Sequence, residues 1–453
     1  MRRKIWNVKE ITRHARQLAE KHKLFVYLVQ IFLNRGICED EFERFLNPTA
    51  DTLHCPSLLP DIEKAANRIK KATATGEKIL ICGDYDVDGL TSLAIFYEYI
   101  RVYPDMYSFY IPHRTKEGYG LNKQVLEKAK SENRTLIVAF DCGTNSLAEI
   151  ELAKEYGIDV IVVDHHLPKE GLNCPFAFVN PKRKDSQYPF YDLSSAALSF
   201  KLLQALKGKN CWQVLDLVAL SVVCDVVPLK GENRALLQEG IKYLRRTARP
   251  AIKALCRVAR LKQENIDTFH IGFILGPRIN ASGRVAHAQE ALELFLSEDE
   301  EKAYALAVRF DEYNRRRRDI EARILKEAES LLETEVFDDH AIVVSGKNWH
   351  PGVLGIVASR LVDRYYRPSF VISFDDKVGK GSARSIHSVH LMEVLDKCAA
   401  SVCSYGGHSR AAGIEIYRQD LDSFKDKVNS FLRDNLNPDD LIPVLDIDAK
   451  ISF

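Results

Sequence analysis

Three short apolar runs constrain this chain more than any other feature, because each stops at ionisable residues. Lys78-Ile79-Leu80-Ile81-Cys82 runs into Gly83-Asp84. Thr135 to Phe140 ends at Asp141-Cys142-Gly143, and Val160 to Val163 ends at Asp164-His165-His166. Short β-rich runs separated by helical segments predict a parallel sheet in an α/β domain. In such sheets ligands bind beyond the carboxyl ends of the strands. Three strand ends would therefore deliver carboxylates and imidazoles to one place.

The rest of the chain arranges itself around that domain. Residues 1–75 read as a charged, helical N-terminal region, and residues 76–287 as the α/β domain. Residues 288–334 contain no proline or glycine and read as one long linking helix. A second α/β lobe opens at Ala341-Ile342-Val343-Val344-Ser345-Gly346 and covers 335–433. Residues 434–453 read as the start of a further domain, since Val444 to Phe453 alternates apolar and polar like a strand beginning. The fold class is α/β, two lobes joined by a long helix.

Composition narrows the setting. Apolar residues are 46% and charged residues 28%, the balance of an ordinary globular protein. Net charge is only +1, so any nucleic-acid surface has to be local. The ten cysteines include no C-x-x-C pair, which predicts reduced, buried thiols and no structural zinc site. Met1 to Glu20 lacks an apolar signal region, and the run Leu24 to Leu33 is too short to cross a bilayer. The expected location is the cytoplasm, with no membrane partner.

Asp84, Asp86 and Asp88 alternate, and Asp141, Asp164, His165, His166 and Asp225 join them as candidates. Carboxylates with imidazole suit manganese or magnesium. Two such ions about 3.5–4 Å apart would clamp both sides of an in-line phosphoryl displacement. A calcium loop is excluded, since no glutamate stands at the twelfth position from Asp84. Any one of these motifs alone reads as structural; together, each closing an apolar run, they read as a metal site. Gly379, Gly381, Gly406 and Gly407 would let backbone approach a phosphate. Arg114, Arg278, Arg284 and Arg384 offer forked donors to phosphate oxygens, though arginines taken singly are more often solvated or ion-paired. Tyr119 either stacks on a base or packs in the core. Arg315 to Arg318 form either a solvated helix face or a DNA contact.

Gly83-Asp84-Tyr85-Asp86-Val87-Asp88-Gly89, Asp141-Cys142-Gly143, Asp164-His165-His166 and Asp225 together resemble the four motifs of the DHH phosphoesterase superfamily. Pro112-His113-Arg114 with Glu117 to Gly120, Gly276 to Arg284, His350 to Ala358, Gly379 to Ser385 and Gly406-Gly407-His408 narrow the resemblance to the RecJ-type exonucleases. The likeness runs from about residue 30 to about residue 430. It implies a DHH catalytic domain with a parallel sheet and a DHH-associated substrate-binding domain whose Gly-Gly-His loop closes over the substrate. One ion would be held by Asp88, Asp141, His165 and Asp225. The other would be held by Asp86 and Asp141 with Asp84 nearby, so that Asp141 bridges. His166 would face the scissile phosphate and Asp164 would support the histidines. The implied substrate contacts are Arg114, Tyr119, Arg278, Asn280, Arg284, Ser382, Arg384, Gly406, Gly407 and His408.

The activity implied is removal of mononucleotides from the 5′ end of single-stranded DNA, in DNA repair and recombination, by a monomer working beside a single-strand-binding protein or a helicase. Two other readings compete. One is a related phosphodiesterase of short oligoribonucleotides or cyclic dinucleotides. The other is an inactive relative that only binds DNA or a replication partner; it would have lost metal ligands, and every implied ligand is present. Family members usually continue into an oligonucleotide-binding barrel after the second lobe. Phe453 stands where such a barrel would begin, which leads us to expect a weak grip on DNA.

Overall fold

The structure, a computed structural model, describes residues 4–114, 117, 120–169, 175–333 and 339–451. The chain divides into two compact units, Glu43–Arg315 and a second made of Met1–Phe42 with Arg316–Phe453.

In Glu43–Arg315 the three apolar runs become strands β1 (Ile79–Gly83), β3 (Leu136–Phe140) and β4 (Asp159–Val163). They are joined by β2 (Tyr107–Tyr110) and β5 (Ala177–Val179) in one sheet of order β2-β1-β3-β4-β5. Every pairing is parallel. All five residues of β1 and of β3 are buried, because helices cover both faces and no side of these strands needs to be polar. The strand order reverses between β1 and β3, and at such a switch point the loops leaving adjacent strands diverge and leave a crevice. Asp84 follows β1 and Asp141 follows β3. The core beneath is built by helices α1 (Val87–Ile100), α2 (Ser195–Lys207) and α3 (Leu215–Cys224), which pack with one another on the sheet.

The second unit holds a mixed sheet of β6 (Ile342–Lys347), β7 (Ser369–Phe374), β8 (Val378–Arg384), β9 (Ser404–Gly407) and β10 (Ala411–Tyr417), in order β9-β10-β8-β7-β6. Only β6 and β7 run parallel, and a helix (Pro351–Tyr365) connects them. The same unit contains a strand inside the region expected to be helical. Ile5–Val8 pairs in parallel with Val444–Ile447, and the Asn7 side chain donates to Asp446 at 2.7 Å. A pairing across that length of chain leaves no local signal beyond the alternation in Ile5-Trp6-Asn7-Val8.

The two units are joined by the long helix Glu300–Glu333. It starts later than residue 288. A separate helix, Gln289–Leu296, ends at Ser297, and the Asp299 carboxylate accepts from the N–H groups of Glu301 and Lys302. A Ser-x-Asp cap therefore breaks what looks continuous when only proline and glycine are counted as breakers. Within this helix Arg315 pairs with Asp311 and Arg317 with Glu321, so two of its four consecutive arginines are engaged along the helix itself. Among the described residues no helix is long and apolar enough to cross a membrane.

Candidate metal centre

The loop after β1 is shaped by its own short side chains. Asp86 caps α1, its carboxylate accepting from the N–H groups of Asp88 at 2.9 Å and Gly89 at 3.2 Å. Gly89 has to be glycine, since a Cβ there would lie 2.4 Å from the Asp84 carbonyl oxygen. Asn280 closes the turn from outside the loop by accepting from the Val87 N–H at 3.1 Å. The residue expected to contact substrate thus also holds the metal loop in shape.

Asp88 lies fully inside and points at the N-terminus of α2. Its two oxygens accept from the Ser195 and Ala196 N–H groups, both at 2.8 Å, and the Ser221 hydroxyl adds a third bond at 2.7 Å. A helix N-terminus carries unsatisfied donors and partial positive charge, so it is a natural seat for a buried carboxylate. Asp141 leaves β3 in the left-handed region (φ 59°), and its Oδ1 lies 3.4 Å from His165 Nε2 at the end of the next strand.

His165 is the hub. Its Nε2 lies 3.4 Å from Asp141 Oδ1, 3.6 Å from Asp225 Oδ2 and 3.7 Å from Asp88 Oδ2. These separations are too long for good hydrogen bonds. They suit ligands around one cation, where bonds of about 2.0–2.2 Å place neighbouring donor atoms roughly 3–3.5 Å apart. A second group, Asp84, Asp86 and Asp141, brings one oxygen from each within 4.8 Å of the others. Asp141 stands in both neighbourhoods, and among the described residues Asp84 Oδ1 is buried with no hydrogen-bond partner.

The electrostatics agree with this arrangement. Burial first, and the neighbouring carboxylates second, hold Asp84, Asp86 and Asp141 above the usual carboxylate range and push Asp225 up to about 9. A divalent cation would remove that repulsion. The donor set of five carboxylates and one imidazole fits manganese or magnesium.

Asp164 behaves differently. Burial works to raise its pKa, but its bond to His166 and the charges of both histidines overcome this and hold it low. It accepts at 2.7 Å from the His165 N–H and at 3.0 Å from the Thr144 N–H, and it sits 2.7 Å from His166 Nδ1. Asp164 therefore orients the His166 ring and the His165 backbone. It makes no hydrogen bond to the His165 ring, whose Nδ1 has no partner among the described residues. Burial opposes protonation of His166, yet the bond to Asp164 wins and raises its pKa.

The basic residues separate into three settings. The Arg114 guanidinium stacks over the Tyr85 ring at 4.6 Å, and its charge favours ionised Asp84. The Arg284 charge acts on the same tyrosine. Arg278 is held by Asp311 at 2.9 Å and by the Ile274 carbonyl at 2.8 Å. In the second unit Arg384 bonds the Ser382 hydroxyl at 3.1 Å, and a Cβ at Gly355 would approach that guanidinium to 2.7 Å. Gly406, Gly407 and His408 form an exposed hairpin end, where a Cβ on Gly407 would lie 2.3 Å from the Ala411 carbonyl oxygen. Tyr119 lies outside the described residues. Sequence reasoning missed Thr144, Asn180, Ser195, Ser221 and Lys182. Asn180 donates to the His166 carbonyl at 2.9 Å, and the Lys182 charge acts on Asp225 and His165.

Comparison with known proteins places this geometry. The DHH family, N-terminal domain, matches residues 78–222, and the DHHA1 domain matches residues 338–434. The chain is 34% identical over 432 residues to the single-stranded-DNA-specific exonuclease RecJ of Haemophilus influenzae, covering 90% of this chain and 75% of that protein. This chain belongs to the RecJ family. The RecJ of Bacillus subtilis is 38% identical over 438 residues, which is 96% of this chain and 56% of that protein. The crystal structure of RecJ in complex with Mn2+ from Thermus thermophilus superposes with a TM-score of 0.84 at 27% identity, over 98% of this chain and 64% of that one. The chain thus spans little more than half the length of the Bacillus RecJ. The fold of two α/β units joined by a long helix is shared with the solved RecJ structure.

Proposed function

We propose that this chain hydrolyses phosphodiester bonds of single-stranded DNA from the 5′ end with the help of two Mn2+ or Mg2+ ions. The observation that carries the reading is the ring of Asp88, Asp141 and Asp225 around His165 Nε2, with Asp141 shared by the Asp84–Asp86 group. One ion would be held by Asp88, Asp141, His165 and Asp225, and the other by Asp86 and Asp141 with Asp84 beside them. Bound ions would supply Lewis-acid stabilisation and lower the pKa of the attacking water.

The chain's own residues do the rest. Asp164 fixes the His166 ring through Nδ1, so proton donation to a phosphoryl or leaving oxygen falls to Nε2. Arg114 and Arg284, beside Tyr85, favour negative charge near the loop of Asp84. Arg384 with Ser382, and the Gly406–His408 hairpin, are built for phosphate contact by forked donors and exposed backbone. The names of the RecJ relatives support single-stranded DNA as the substrate class. We infer a monomer in a reducing cytoplasm, which the buried thiols Cys82, Cys142 and Cys256 support, and a single-strand-binding protein or helicase as partner.

The deciding assay uses 5′- and 3′-labelled single and double strands with manganese, resolved by product length. Mononucleotides released from the 5′ end of single strands are expected. Release from the 3′ end, or equally fast digestion of blunt duplex, overturns the proposal.

A further inference from the structure

Within Glu43–Arg315 the chain exposes two large aromatic rings that have no part in the metal centre described above. Phe269 is 58% exposed and Phe273 is 73% exposed. Their ring centroids are 5.1 Å apart with planes at 29°, a stacked pair. His270 meets Phe269 edge-on and is itself held by Asp267 at 2.6 Å. Phe273 sits on one wide π-helical turn, Ile271–Leu275, a distortion common at functional sites. The ends of that turn, Ile271 and Leu275, are completely buried, so Phe273 is turned outward by a fixed backbone and not by a loose loop.

The buried side of the turn leads straight to the metal ligands. Cys224 lies against the Ile271 carbonyl at 3.9 Å, and a Cβ on Gly276 would come within 2.5 Å of the Cys224 sulfur. The next residue along is Asp225, one of the three carboxylates around His165. The turn carrying Phe273, with Phe269 just before it, is therefore packed on the helix end next to Asp225, a ligand in the proposed set.

We propose that Phe269 and Phe273 are a base-stacking platform that holds a single strand beside the metal centre. In a stacked pair each ring has one face covered and one outer face open, so a planar base extends the stack. Such stacking is tolerant of sequence and is a main source of affinity for single strands. The platform reads bases and not phosphates, which fits a chain whose net charge is only +1. The inference rests on the single-strand reading, because a duplex offers no free base faces to the rings.

The test compares Phe273→Ala, Phe273→Leu, Phe273→Trp and the double variant Phe269→Ala/Phe273→Ala. Each is assayed on a single-stranded dodecamer and on a dinucleotide with manganese, and dodecamer binding is followed by fluorescence anisotropy with calcium in place of manganese. The Ala and Leu variants should raise KM for the dodecamer about tenfold while kcat and dinucleotide cleavage stay unchanged. Phe273→Trp should restore wild-type KM. If Leu behaves as wild type, the rings serve an apolar contact and the platform is wrong. If the pair instead joins two copies, the wild type sediments as a dimer and the Ala variants as monomers, which also overturns it. A chain that binds the dodecamer through these rings yet cuts nothing would sink the proposed activity and leave the platform standing. A chain that cuts normally whatever stands at 269 and 273 would do the reverse.

Discussion

The ligands around His165 and the hairpin at Gly406–His408 are both glycine-assisted sites, but they are ordered in opposite ways. Around His165 the side chains are largely buried, and three of the carboxylates are tied to backbone N–H groups. Asp88 takes two N–H groups of a helix N-terminus, Asp164 takes three N–H groups, and Asp86 caps its own helix. At the hairpin Gly406, Gly407 and His408 are exposed, and backbone bonds of the strand pair and its turn fix the chain. A metal site needs donors held in place before the ion arrives, since mutual repulsion would otherwise spread them. A phosphate contact at an exposed hairpin end can be completed by the substrate. Substitutions in the first region should therefore reach metal binding and kcat, and substitutions in the second should reach KM.

The largest effect is expected from Asp141→Ala. It removes the carboxylate that lies 3.4 Å from His165 Nε2 and also groups with Asp84 and Asp86, so in the proposed set both ions would lose a partner at once. Turnover with manganese should fall on the order of a thousandfold or more. Calorimetric titration with manganese should also show weakened binding of both ions. Near-normal turnover would sink the shared role. Asp164→Asn comes next. It touches no ion directly in the proposed set, but it removes the charge that holds His166. Loss of an outer partner of this kind typically costs about 10–100-fold. The loss should fall on kcat with manganese affinity little changed; a pure loss of metal affinity would move Asp164 into the ligand set.

How much of this was legible in the sequence follows from which interactions are local. The strand ends were legible because a buried parallel strand is an apolar run and the ionisable residues follow it directly. Asp141 and His165 could be placed on that basis. The partners of Asp88 were not, because a backbone N–H at the start of α2 carries no residue identity, and Ser221 lies 133 positions away. The partner of Arg278 was not legible either, because nothing near it in sequence suggests Asp311, 33 residues on. The break before Glu300 was missed because an Asp299 cap looks like ordinary helix composition until its bonds are seen. The strand Ile5–Val8 needed a partner at the far end of the chain.

Arg384→Ala tests the other half of the comparison. The guanidinium is anchored to Ser382 and the Ala383 carbonyl on a strand of the second unit. KM for a 5′-phosphorylated single strand should rise about tenfold, in keeping with loss of a charge-assisted bond, with a smaller rise for a strand lacking the phosphate. Manganese binding and the thermal transition should not move. An equal loss for both substrates would mean that Arg384 supports the fold and does not read the 5′ phosphate.

The smallest expected effect probes how far the burial around Asp88 matters. Ser221→Ala removes one hydroxyl that donates to Asp88 Oδ1, and leaves the Ser195 and Ala196 N–H groups in place. Ser221 is completely buried and its hydroxyl also meets Ser194 at 2.6 Å, so the variant leaves a gap and a weakened network. A single buried hydrogen bond of this kind is worth about 1–2 kcal/mol, with bonds to charged groups at the upper end. Stability should drop by about that amount, read as a lower denaturant midpoint for Glu43–Arg315. Manganese affinity should fall only about threefold, because two backbone donors still aim the carboxylate. Ser221→Thr restores a hydroxyl but adds a methyl group to a filled site, so it should recover metal affinity and not stability. If Ser221→Ala instead abolished metal binding, the helix N-terminus would not be what holds Asp88. The metal site would then depend on its side-chain donors as the hairpin depends on its substrate, and the two regions would not differ in how they are ordered.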